Sequence, residues 1–574
     1  MIRVRGGAWL LLVAACGGAS PTPPPATGAV APAKRGEPSA REMKLDLVQV
    51  ERGVRVRVEA TGSAGDVHAW QLGDDLASRI DVLDANDRPL AFRRQGQRLE
   101  ITASATTVVL RYEILAKPGA PPAGDEDARS TMIDEQRFRG VGDKILALPE
   151  AFEKVAVPIA FTQSSLPTGR IAASSFGTGR DHVTQRLELP GRSLRRSVFL
   201  FGPGGRAELD APEGHDESAW LGYTAFDSRS VSAEVAGFRG VLHEYFKDIE
   251  LAPATLFFSV DARPRGGYRV ARAHSGVLVV LSGLDPFDAG LRLAVAHELV
   301  HAWIGERTWV GDATPGKEIE SLWFQEGVAR WVAREQLARV GLLSFDEHAA
   351  ELNRLLAIVT ASRHALRSNA ELLVDAQASG VVPLLVARGA LFATAVDARI
   401  RERSRGARSF DDVIRALSRL ADETHAPLPE ATFFEVLGHE IDAAQVREDF
   451  DDYVITGRKK SVPDAALGPC FETLETTYET YAAGFDVAAS RDAHAIRNVD
   501  PKGPAAAAGL RNGDVLDRME VPDRVDRMVK IEVTREGKPV VVTYRPVHGA
   551  RRGQGFRRKA SLTEEACRKL ALRK

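Results

Sequence analysis

"LAVAHELVHAWIG", Leu293–Gly305, sets His297 and His301 four positions apart with Glu298 beside the first. In a helix that spacing puts both imidazoles on one face, so they can present two nitrogens to one metal ion. Glu298 is turned away enough to reach a water next to such an ion, which makes it the natural general base. A five-residue pattern of this kind arises by chance in roughly one chain per hundred of this length, so a pair of surface histidines is the competing reading and a third ligand decides. Two glutamates compete for that role. Glu320 follows His301 at the nearer spacing, whereas Glu326 lies inside "SLWFQEGVARW", where Leu322, Trp323, Val328 and Trp331 can seat a ligand-bearing helix. Loop length tolerates extra residues better than a packed helix tolerates losing its apolar face, and this favours Glu326. The expected cofactor is one Zn2+ ion held by His297, His301 and Glu326, with Glu320 a solvated charge.

Outward from this stretch, 574 residues are too many for one core and predict several domains. Lys and Arg total 76 against 78 Asp and Glu, a net charge of −2, which leaves no basic footprint for nucleic acid. Residues 1–16 read as a lipoprotein signal peptide: Arg3 and Arg5, a short apolar run, then "VAAC" ending at Cys16 as the lipidation site. The apolar run is too short to span a bilayer. Residues 17–43 form a Pro/Ala/Gly tether. These features predict a lipid anchor in a bacterial membrane, the outer rather than the inner, with the body in the periplasm or at the cell surface. Cys470 and Cys567 remain open between a disulfide and two free thiols.

Residues 44–230 read as a β-rich domain, with alternation in "VRVRVEA" and "TTVVLRYEI". "FLFGPGG" has no Gly-Lys-Ser/Thr after it and is expected to be a hairpin turn. From Val231 the period changes to helix, strand, strand and the motif helix, so 231–460 is predicted to be a zincin-type catalytic domain.

Several segments then carry a resemblance. "LWFQEG" is similar to the "LWLNEG" of the aminopeptidase N family, in which the glutamate before the glycine is the third zinc ligand. The order of signal, β-rich domain, "HELVH", "LWFQEG", helical region and C-terminal PDZ-like sequence resembles the PDZ-containing glycyl aminopeptidase family of zinc metallopeptidases, the gluzincins. "NVDPKGPAAAAGLRNGDVL" supports a PDZ domain over 465–548. In "YAAGFDV", Gly484 and Phe485 would then centre the loop that receives a peptide carboxylate, with a peptide added to a sheet edge as the implied partner. Residues 549–574 are expected to be a basic hinge and a terminal helix capped by Ser561 and Glu564.

The departures from that family are specific. Where it has a tyrosine in "Tyr-x-Lys-Gly", this chain reads "VARG", with Val386 at the tyrosine and Arg388 at the lysine. In "ARAHSGVL", His274 matches the last histidine of the family's Gly-Gly-Leu-Glu-His, but no glutamate precedes it. The resemblance thus implies a multidomain α+β zinc peptidase acting on peptides or proteins at the cell envelope. The alternative is a weakened or inactive relative that binds peptides through its groove and PDZ domain. Arg330, four residues after Glu326, could brace that carboxylate or face solvent, and the second is expected.

Overall fold

The computed structural model describes residues 41–571, apart from 77–78, 117–126, 166–169, 212–213, 249–252, 315, 375–379 and 523–524. The expected signal, Cys16 and tether through residue 40 lie outside the described residues.

The N-terminal part is all β. Strands Glu42–Val50, Gly53–Thr61 and Thr107–Leu115 pair antiparallel in a six-stranded sheet completed by Asp81–Leu83, Val157–Ser164 and His182–Leu189. Alternation drives the layer: Leu45, Leu47, Val54, Val56 and Val58 point inward onto Trp70 and Leu99 of a second sheet, while the residues between them face outward. A third sheet, built around Ile171–Ser174, Val198–Gly202 and Phe138–Val141, turns its outer face to the next domain. There Ala173, Val198 and Leu200 share a core with Ala219, Leu221, Phe257, Leu278 and Val280. The fully buried Arg139 crosses this seam to Asp261 at 3.4 Å.

The chain changes sheets near residue 203, ahead of the boundary expected at 230. Strand Gly204–Ala211 pairs with Gly214–Leu221, which runs parallel to Thr255–Val260 in a five-stranded sheet with Gly276–Leu281 and the antiparallel edge Arg269–Ala273. The hairpin has the same β-type composition as the domain before it, so composition changes only at the helix after it. "FLFGPGG" is therefore no hairpin turn. The chain leaves one sheet at Gly202 and enters another at Gly204.

Helix α1, Ser228–Phe246, and helix α2, Ala289–Val300, cover this sheet; both begin at aspartate caps, Asp227 and Asp288. A helical lobe follows: α3 Ala329–Arg339, α4 Phe345–Ala361, α5 Asn369–Val374, α6 Val381–Ser404, α7 Phe410–Thr424, α8 Glu430–Gly438 and α9 Ala443–Phe450. α6 is long and apolar enough to cross a membrane, yet 83% of its apolar window is buried within the protein, so it is the central core helix of the lobe.

The C-terminal part is a long antiparallel ribbon, Phe471–Tyr481 with Val547–Arg558, enclosing a small unit with strands Val515–Glu520, Val529–Arg535 and Lys538–Tyr544. The basic run from Arg551 to Arg558 is thus strand, not hinge; its partner strand supplies Glu472 and Glu475 opposite Arg557 and Arg552. The terminal helix Glu564–Ala571 is capped by Thr563, not by Ser561, because the chain turns two residues later than the sequence pattern suggests. Cys470 and Cys567 pair as a disulfide that ties this helix to the start of the ribbon.

Candidate metal centre

α2 carries the motif on a helix buried along Leu291, Val295, Ala296, Leu299 and Val300. The helix ends at Val300, but His301 keeps helical torsions, φ −63° and ψ −12°, so the four-residue relation to His297 survives. Their Nε2 atoms lie 3.2 Å apart. Glu326 Oε2 lies 2.9 Å from His297 Nε2 and 3.5 Å from His301 Nε2. A zinc ion with about 2.0–2.2 Å bonds in tetrahedral geometry separates its ligand atoms by about 3.3 Å, so this triangle of two imidazole nitrogens and one carboxylate oxygen fits the ion. Glu298 offers a carboxylate oxygen within 4.8 Å of ligand atoms on both histidines. Glu320 is exposed in the turn Glu318–Ser321, outside this group.

The choice between the two glutamates rests on packing. Trp323–Val328 forms a wide π-helical turn, a form that recurs at functional sites. Trp323 is clamped edge-on by Phe324, Phe392, Phe433 and Phe450. Gly327 and Gly389 let α6 approach this turn backbone to backbone: a Cβ on Gly327 would lie 2.8 Å from the Gly389 Cα, and one on Gly389 would strike the backbone of Trp323. Trp323, Val328 and Trp331 are buried as expected, leaving Glu326 half-buried toward the histidines.

Electrostatics favour the ligand state at Glu326 and His297. Burial alone would raise the Glu326 carboxyl, but hydrogen bonds to His297 and His301 outweigh it and hold the group well below the usual carboxylate range. Burial pushes the His297 imidazole down. His301 rises despite burial, because Glu326 and Glu298 are close and Ile304 takes a hydrogen bond. That bond, His301 Nδ1 to the Ile304 carbonyl at 3.0 Å, fixes the proton on Nδ1 and frees Nε2 for the metal.

Other residues here were invisible in the sequence. Arg272, on the edge strand, donates to the carbonyl of Glu298 at 3.3 Å and to Glu306 at 3.1 Å; Arg196 reaches the same Glu306 from the N-terminal domain. Burial would raise Glu306, but the two arginines hold it low. Residues so far apart in the chain offer no spacing signal. His274 stays apart from the metal group: burial and the Arg196 charge lower its pKa, and its ring lies 6.0 Å from that of Phe176.

Arg330 does not face solvent. It pairs with Glu351 at 2.7 Å between α3 and α4. Val386 is half-buried on α6, and Arg388 is buried, bonded to Asn369 and the Arg367 carbonyl. In the C-terminal unit, Gly484 takes φ +82° and abuts Ala505, while the Phe485 ring packs in the unit's core at 9% exposed. The chain passes straight into helix Val487–Asp492 capped by Asp486, so no strand follows the loop and Phe485 serves packing there.

No protein-family model matches the chain, and no curated protein does. Among solved structures, an aminopeptidase N family protein from Idiomarina loihiensis superposes with a TM-score of 0.65 at 14% identity, covering 92% of this chain and 99% of that one. An M1 zinc metallopeptidase from Deinococcus radiodurans matches at 0.46 and 16%, covering 75% and 96%. Yeast LTA4 hydrolase matches at 0.44 and 13%, covering 75% and 71%. The first of these shows that the chain has the fold of that aminopeptidase N family protein over nearly its whole described length.

Proposed function

We propose that this chain is a zinc-dependent peptidase, carried by one observation: three ligand atoms from His297, His301 and Glu326 form a zinc-sized triangle with Glu298 beside it. Three protein ligands leave a fourth position open, as catalytic sites require and structural sites do not. Bound there, a zinc ion would acidify water and polarise a scissile carbonyl. Glu298 would take the proton from the attacking water and return it to the departing amine. Arg272 holds the backbone of that glutamate from the edge strand. The fold shared with the aminopeptidase N family protein supports this reading.

The finer assignments belong to the same proposal. "VAAC" at Cys16 and the tether support an envelope lipoprotein, and "GLRNGDVL" supports a PDZ-type unit of the glycyl aminopeptidase arrangement. Val386, which offers no hydroxyl where the family has tyrosine, favours the second reading of a slow or inactive peptide-binding relative. The test is bound zinc together with cleavage of a mixed peptide library by the purified chain and by Glu298→Gln. Zinc kept at one ion per chain with cleavage lost roughly 100-fold or more in the variant supports the peptidase; equal cleavage by both, insensitive to chelator, sinks it.

A further inference from the structure

Three cations meet where the helical lobe joins the C-terminal ribbon. Arg388 on α6 is 2% exposed, and among the described residues its guanidinium donates to neutral acceptors, Asn369 Oδ1 at 2.9 Å and the Arg367 carbonyl at 2.6 Å. Burial lowers it to about 10. The backbone of Gly457, at φ +62°, lies against this guanidinium, where any side chain would collide with it. Three residues on, Lys460 is half-buried; burial first, then the charges of Arg551 and Arg388, hold its ammonium below the ordinary lysine range. Arg551 is exposed on the ribbon and donates to the Thr360 carbonyl at 3.2 Å, at the end of α4.

Among the described residues, none of these three cations is paired with a carboxylate. That is unlike the chain's other buried guanidiniums, since Arg139 faces Asp261, Arg239 faces Asp216 and Arg334 faces Glu335. Converging positive charges, one of them desolvated, repel one another and cost stability unless an anion completes the group. Two planar guanidinium forks and an ammonium together suit an oxyanion with two or more acceptor oxygens.

We propose that Arg388, Lys460 and Arg551 form a binding site for a carboxylate-like oxyanion at the junction of lobe and ribbon. Its source is either the acidic terminus of a bound peptide or a free small anion. Arg388 directly precedes Gly389, which seats the turn bearing Glu326, so an occupant would brace the segment on which the metal turn rests.

Binding is read without turnover, so its failure is separate from failure of the peptidase reading. The full chain is melted in inorganic phosphate, acetate and chloride at constant ionic strength, beside Lys460→Met/Arg551→Met. The expected result is a melting shift by phosphate and acetate that chloride does not match and that the double variant loses. In a second arm, peptides with free and amidated C-termini compete for the site. Amidation weakening binding roughly tenfold in the parent but not in the variant assigns the site to a peptide terminus, and equal binding with the phosphate shift intact assigns it to a free anion. No oxyanion-specific shift and no effect of amidation in the parent, or the same effects in the double variant, overturn the proposal.

Discussion

His301 donates its Nδ1–H to the carbonyl of Ile304 at 3.0 Å, three residues farther along its own chain. A carbonyl can only accept, so this bond sets the tautomer and aims Nε2 at Glu326 and His297. It exists because the chain leaves the helix at once and turns through Gly305 at φ +98°. An alanine there would be strained, with its Cβ about 3.4 Å from the imidazole Nδ1. Gly305→Ala should therefore weaken zinc binding by roughly 10–100-fold, measured by competition with a chelating dye, while the histidines themselves remain.

The ligand assignment separates two glutamates six positions apart. Glu326→Ala removes one corner of the triangle and should leave the purified chain without stoichiometric zinc. Glu320→Ala, at an exposed turn, should keep one ion and an unchanged melting temperature. Metal analysis after dialysis decides between them, and zinc lost from the second variant but retained by the first would reverse the assignment.

How much of this was legible follows from where each signal resides. The histidines and Glu298 were readable because one helix carries them and its period is local. Glu326 was readable through its apolar frame, since Trp323, Val328 and Trp331 announce a packed segment whatever the loop before it does. The π-helical turn was not, because only contact with Gly389, far away in sequence, requires it. The pairing of Arg330 is hidden for the same reason: its partner Glu351 sits on another helix. The change of sheet near residue 203 is not legible because a strand records its alternation, not the sheet it joins. Cys470 and Cys567 could be named but not paired, since two cysteines carry no geometry until the ribbon brings their Cα atoms within 5.6 Å.

Glu351 predicts an acid-sensitive joint in the lobe. Burial would raise its carboxyl, but Arg330 and Arg354 overcome that and lower it from 4.5 to about 2. A depressed folded pKa contributes stability that is full above the unfolded value and is lost as the pH falls from about 4.5 toward 2. Over that span the contribution is on the order of 3 kcal/mol. Glu351→Gln should melt lower at neutral pH, by several degrees, and lose most of the steep fall in melting temperature below pH 4.5. A variant whose acid profile parallels the parent's would show that the triad contributes nothing specific.

The disulfide closes a loop of 97 residues that contains the whole C-terminal ribbon and the small unit it carries. Both cysteines are buried within the main core alongside Phe471 and Phe556, so the bond fastens the base of the ribbon and not its tip. By loop entropy alone such a cross-link is worth about 4–5 kcal/mol. The small unit has its own core, built on Ile496, Leu510, Val529, Ile531 and Val533, and should stay folded when the base loosens. Cys470→Ser/Cys567→Ser, or the parent chain under reductant, should therefore show faster amide exchange and earlier proteolysis in the terminal helix and the ribbon base. The zinc content and the exchange pattern of α2 should be unchanged, because no residue of the metal group touches this closure. If reduction released zinc as readily as it loosened the ribbon, the two ends of the lobe would be coupled through α6, and the metal turn would depend on the C-terminal fastening.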